Sequence, residues 1–205
     1  MTPEFLLPFA LASVAIEATP GPNMAYLAVL SMSEGRRAGF AAVAGVALGL
    51  FIIGIAAALG VAALISESPF LFHVLRWGGV AYLLWLAWDG WRDEKDTEHQ
   101  DHNTLLSQAK FFRRGLITNL LNPKAALFYI AILPTFIDEQ FPAGAQAITL
   151  TFIYVAIATI VHSLIVTLGG AARPFLESPA RRQTVRRILA IVLALIAVWF
   201  AVSTR

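Results

Sequence analysis

The sequence predicts an all-α integral membrane protein with six transmembrane helices. These form two inverted three-helix repeats, with the first and fourth helices broken. Three observations carry this reading. The 205-residue chain is 58% hydrophobic and only 14% charged, with a mean hydropathy of +0.71, far more apolar than a soluble domain of this length. Six stretches approach or exceed the run of about 20 apolar residues that crosses a bilayer core. Prolines interrupt two of them at matching places, with Pro22 and Pro123 lying 101 residues apart, close to half the chain.

The predicted spans are Phe5–Ser31, Gly39–Ile65, Phe70–Trp88, Leu116–Ile137, Ala145–Leu168 and Ile188–Val202. The first is long enough to absorb a break, and the last is short but wholly apolar. Basic residues set the orientation. The first loop holds Arg36 and Arg37; the third holds Arg92, Lys95, Lys110, Arg113 and Arg114; the fifth holds Arg173, Arg181, Arg182, Arg186 and Arg187. These are twelve of the fifteen Lys and Arg, and the second and fourth loops have none. An excess of Lys and Arg marks cytoplasmic loops, so both termini are expected outside the cell membrane. This alternation also accounts for the pI of about 9.2 and excludes a nucleic-acid partner.

The whole chain, 1–205, reads as one membrane domain: repeat one over about 1–91, a cytoplasmic loop over about 92–112, and repeat two over about 113–205. His99 and His102 in that loop read as solvated residues rather than a metal site. The absence of cysteine excludes disulfides, thiolate metal ligation and a cysteine nucleophile. No cofactor is implied. Met1 to Phe9 contain no Lys or Arg, unlike the basic start of a cleaved signal peptide, so the N-terminus reads as retained.

The breaks carry the chemistry. Pro20 and Pro22 lack a backbone N–H, and each ring crowds the turn before it. Backbone groups freed in hydrocarbon need partners, so such a break persists only where protein or a water-filled cavity surrounds it. Glu17 lies just before the Pro20-Gly21-Pro22-Asn23 break, and Asn119, Asn122, Pro123 and Lys124 form the second. Both prolines fall roughly 14–15 Å from the cytoplasmic surface at about 1.5 Å per residue, near mid-membrane. Half-helices starting at Asn23 and Lys124 would aim their N-termini at a shared centre, which suits an anion. With Lys124 adding positive charge and Glu17 negative charge, that centre matches a ligand with a carboxylate and an ammonium. An intramembrane carboxylate is costly and belongs in the protein interior. His162 in the fifth span titrates near neutral pH, so Glu17 and His162 are the proton-coupling candidates.

Other features have structural readings. Gly45 and Gly49 form a small-xxx-small pair for close helix packing, at a moving interface or between two copies of the chain. Tyr82, Trp85, Trp88 and Trp91 read as an aromatic belt at the cytoplasmic membrane edge, with a solvated Asp89 beside them.

The chain resembles the LysE/RhtB family of bacterial amino-acid exporters. The markers are Thr19-Pro20-Gly21-Pro22-Asn23, Glu34-Gly35-Arg36-Arg37-Ala38-Gly39, Gly78 to Leu86, Asn119 to Lys124, and Leu133-Pro134-Thr135-Phe136, in order over nearly the whole chain. The resemblance implies a six-helix inner-membrane exporter of amino acids or related metabolites, driven by the proton gradient. It implies that Pro20, Gly21, Pro22, Asn23, Asn122, Pro123 and Lys124 form the translocation centre. Ile53, Ser163 and Gly170 stand where members often carry polar residues, and Glu17 stands where members mostly carry an uncharged one. The expected function is therefore a secondary exporter with a small amino-acid substrate and lipid as its surroundings. Export of another small solute or cation is the alternative. No paired carboxylates, His-x-x-x-His spacing or nucleophile–base pair points to an enzyme.

Overall fold

The computed structural model describes residues 3–19, 21–60, 69–92, 104–138, 140–172 and 179–203. Pro20, Lys95, His99, His102 and Arg173, all singled out in the sequence, lie outside the described residues. Among the described residues all regular structure is helical. The first interrupted helix comprises α1 (Pro3–Ala18) and α2 (Pro22–Ser33), followed by α3 (Arg36–Ala58) and α4 (Pro69–Arg92). The second comprises α5 (Thr104–Leu120) and α6 (Pro123–Leu127), followed by α7 (Ala143–Ala172) and α8 (Pro179–Ser203). Arg36–Ala58 and Ala143–Ala171 are each long and apolar enough to cross a membrane. Leu106–Leu120 and Pro123–Phe136 make a third candidate, bent by 51° at the break.

The surface is apolar where a soluble protein would be polar. Leu11 on α1, Ile52 on α3, and Phe152, Ile160, Leu164 and Leu168 on α7 all point outward. Contiguous exposed hydrophobic faces of this extent belong against lipid.

Two local outcomes differ from the sequence expectation. The helix leading to the second break begins at Thr104, within the expected loop, rather than at Leu116. Lys110 and Arg113 make this stretch look solvated. They occupy the outer face of an amphipathic helix, while Phe111 packs on the core and Gly115 on α3. Beyond the break, α6 lasts five residues before widening into a π-helical turn over Phe128–Ile132 and tightening into a 3-10 turn over Leu133–Phe136. Pro134 explains this. It has no N–H for the Ile130 carbonyl, so the α-helical ladder cannot run through it.

Glycine sets the closest approaches. A Cβ on Gly45 would lie 2.0 Å from the Phe112 carbonyl oxygen, and one on Gly115 would lie 2.2 Å from that of Ala42. The small-residue face of α3 is thus filled by α5 of the same chain. Gly35 turns the chain from α2 into α3 at φ 92°, in the region that favours glycine.

Two apolar cores result, one above the other. The inner one joins Leu27 and Leu30 of α2, Ala42 and Val43 of α3, Leu83 of α4 and Val166 of α7. The second joins Phe9 of α1, Val46 and Leu50 of α3, Phe128, and Leu150 and Tyr154 of α7. On α7 the two are separated at His162; on α2 and α5 the level between them holds Asn23 and Asn119. A buried polar layer lies between two hydrophobic ones.

Candidate functional site

The polar layer is built from the two breaks. Glu17 occupies the last turn of α1, which closes with the Thr19 N–H donating to the Ile16 carbonyl. Gly21 is extended and Pro22 opens α2, the first helical position, where a missing N–H costs nothing. The second break repeats this arrangement. Asn122 caps α6 by accepting the Lys124 N–H on its side-chain oxygen at 3.1 Å, and Pro123 holds the first helical position. Both half-helices therefore start on their prolines, one residue earlier than expected. Because α6 is α-helical for only one turn, the positive charge at this break resides chiefly on the Lys124 ammonium rather than on a helix dipole.

The breaks touch. Asn23 Nδ2 donates to Asn119 Oδ1 at 2.7 Å, with both side chains buried. Lys124 crosses to the first break, where its ammonium donates to the Thr19 carbonyl at 2.6 Å. Its side chain runs over Gly21, whose absent Cβ would meet Lys124 Cδ at 3.2 Å.

Glu17 is only 4% exposed, and both its oxygens are engaged by α7. The Tyr154 hydroxyl donates to Oε1 at 2.6 Å, and His162 Nε2 lies 3.2 Å from Oε2. Tyr154, Ala158 and His162 follow one another at helical spacing, so α7 presents both polar groups on one face. Sequence reasoning finds His162 and misses Tyr154. A signal for it exists: a tyrosine two turns before the only histidine of that helix, on the same face.

Glu17, Gly21, Asn23, Asn122, Lys124 and His162 line one cavity, with Met24, Leu50 and Tyr154 completing the wall. Pro22, Pro123 and Asn119 are not among its lining residues: the two prolines line a separate small space with Tyr82 and Leu121, and Asn119 reaches the wall only through its bond to Asn23. The space left at its centre is about 10 Å³, room for roughly one water molecule. Glu17 and Lys124 face the same space, but each is engaged with protein groups. Toward the inner core, Asp89 is paired with Arg114, whose guanidinium lies 5.4 Å above the Trp85 ring. Asp89, expected to be solvated, keeps its side chain 34% exposed and is also an ion-pair partner of Arg114.

A carboxylate, an ammonium and two side-chain amides thus share the lining of one small cavity, with an imidazole beside the carboxylate. Among the described residues no group of three or more His, Cys, Asp or Glu could hold a metal ion.

The family described as LysE type translocator matches residues 14–204. A homoserine/homoserine lactone efflux protein of Salmonella typhi is 28% identical over 201 residues, 98% of this chain and 98% of that protein. An uncharacterized membrane protein of Vibrio cholerae is 30% identical over 173 residues, 84% of each chain. The membrane protein YahN of Escherichia coli is 36% identical over 129 residues, 62% of this chain and 58% of its own. No solved structure matches.

Proposed function

Because the chain belongs to the LysE type translocator family, we propose that it is a secondary exporter of amino acids or closely related metabolites, coupled to the proton gradient. Membership makes it a membrane transporter and not an enzyme. The substrate class rests on one observation: Glu17 and Lys124, from breaks on opposite halves of the chain, line the same buried cavity. A zwitterion would take the Lys124 ammonium with its carboxylate and Glu17 with its ammonium, replacing the Thr19 carbonyl and the α7 side chains as partners. The Salmonella typhi relative is named for efflux of homoserine, which is a zwitterion, and of its lactone, which lacks the carboxylate.

The architecture we propose is six spans in two inverted triplets. One triplet is α1/α2, α3 and α4; the other is α5/α6, α7 and α8. Helix packing supports it. α3 packs on α5, while its counterpart α7 packs on α1 and α2; α3 meets α7, and α4 meets α8. Exchanging the halves maps these contacts onto one another, as expected of inverted repeats with a site at their interface, while the α2–α3 contact has no counterpart of its size between α6 and α7. By the distribution of Lys and Arg, the Arg36 end of α3 is cytoplasmic and both termini are outside an inner membrane.

Glu17 and His162 would carry the proton. The carboxylate holds a proton or a substrate ammonium, and His162 compensates its charge when neither is bound. With about 10 Å³ free between two packed cores, the conformation is closed on both sides, and transport requires each core to open in turn.

The experiment is accumulation of labelled amino acids by everted vesicles under an imposed proton gradient, compared with Lys124→Ala. Gradient-driven uptake of an amino acid, abolished in the variant, is the expected result. Uptake equal in both would end the zwitterion reading.

A further inference from the structure

A cavity of about 320 Å³ lies beyond the second apolar core, at the Gly60 end of α3. Its walls are Ala57, Gly60, Leu133, Pro134, Gly144 and Ala147, and Tyr129 forms part of its lining. Tyr129 is also an edge-on neighbour of Tyr154, with ring centroids 5.5 Å apart. Tyr154 stacks on Phe128 at 3.7 Å, and its hydroxyl holds Glu17. The rings of Phe128, Tyr129 and Tyr154, set in the second apolar core, thus stand between the site and a vestibule large enough for an amino acid.

We propose that Tyr154 is a positioning residue that locks this outer gate: its hydroxyl binds Glu17 while its ring keeps Phe128 and Tyr129 closed across the floor of the vestibule. The proposal rests on the exporter reading above and adds the route by which the solute leaves.

Three structural features make the layer movable. Phe128 and Tyr129 sit on the π-helical turn, an irregular backbone that can re-register by one residue without breaking a regular ladder. Tyr129 is seated against Gly54 of α3, where a Cβ would come within 2.8 Å of its ring, so on that side the ring meets helix backbone with no side chain in the way. The lock itself is one hydrogen bond to a carboxylate, the group a substrate ammonium or a proton would occupy. When Oε1 is taken, the Tyr154 hydroxyl loses its acceptor and only apolar packing against the core, Phe128 and Tyr129 among its neighbours, holds the ring. Loading of the site then releases the gate on the vestibule side.

The chain lacks cysteine, so a single introduced thiol reports accessibility without background. Met24→Cys places one in the central cavity and Gly144→Cys places one in the vestibule. Each is reacted in intact cells and in everted vesicles with a charged, membrane-impermeant thiol reagent. Gly144→Cys should label rapidly from one face, and Met24→Cys slowly from that face. Adding Tyr154→Phe, which keeps the ring and removes the hydroxyl, should raise Met24→Cys labelling from the vestibule face by about tenfold, the shift that loss of one hydrogen bond to a charged group brings. Tyr129→Ala should do the same. A merely structural loss would raise labelling from both faces. An unchanged rate in both variants, or an increase from both faces or from the opposite face alone, overturns the gate. If the vestibule face proves to be cytoplasmic, the proposed orientation falls and the gate stands, because labelling requires no substrate.

Discussion

Asn23 and Asn119 join the two broken helices side chain to side chain, with 2.7 Å between Nδ2 and Oδ1. They lie 96 residues apart in the chain, and both are buried. Replacing either by alanine should lower stability by about 1–3 kcal/mol, since the partner amide is left buried and unsatisfied. Replacing both should cost less than the sum. Thermal unfolding of the single and double variants in detergent closes the cycle; additive losses would mean that the bond contributes nothing.

Homoserine and its lactone, the two compounds for which the Salmonella typhi relative is named, are similar in size and make a test pair for the proposed role of Lys124. Homoserine has a carboxylate and its lactone does not. Lys124→Ala should cut homoserine efflux by about tenfold or more, the cost of losing an interaction of about 1.4 kcal/mol or more. Efflux of the lactone should fall far less. Equal losses in parallel assays of expressing cells would place Lys124 in folding and not in carboxylate recognition.

Glu17→Gln mimics a permanently protonated carboxyl. Efflux driven by a proton gradient should be lost, while exchange of labelled for unlabelled substrate across the membrane should persist with weakened apparent affinity, because the amide oxygen still accepts from the substrate ammonium but carries no charge. Both are read in reconstituted vesicles. Proton-driven efflux at the unsubstituted rate would remove Glu17 from coupling.

Gly45→Ala puts a methyl group 2.0 Å from the Phe112 carbonyl oxygen, against backbone that cannot turn aside. The helices must part, and a loss of about 1–3 kcal/mol is expected from overpacking. Gly78→Ala is the contrast. Its Cβ would meet only Leu121 Cδ2 at 3.7 Å, so the change should be within about 0.5 kcal/mol. Melting temperatures that rank the two the other way would contradict the packing described.

Much of this site is legible in the chain itself. Proline has a fixed local effect, so Pro22 and Pro123 announce breaks by themselves. Glu17 and Lys124 stand out because charge is rare in apolar stretches. Other features depend on neighbours distant in sequence. Nothing local tells Tyr154 to meet a carboxylate 137 residues away, or Asp89 to meet Arg114. The early start of α5 is hidden because Lys110 and Arg113 suggest solvent by composition, whereas the face they occupy decides their surroundings. The π turn at Phe128 follows from Pro134, whose effect reaches backward by a turn, and a search for breaks at the proline itself overlooks it.

The two stacked cores have a cost attached to them that bears on the cell. A pore wet from end to end would discharge any ion difference across the bilayer at each visit to the open state. With one oily plug on either face of the polar layer, removing a single plug exposes the centre and still leaves an insulator behind it. Energy stored across the membrane is thereby protected by simple redundancy, and a variant that weakens both plugs at once would be toxic to its host even if it moved solute faster.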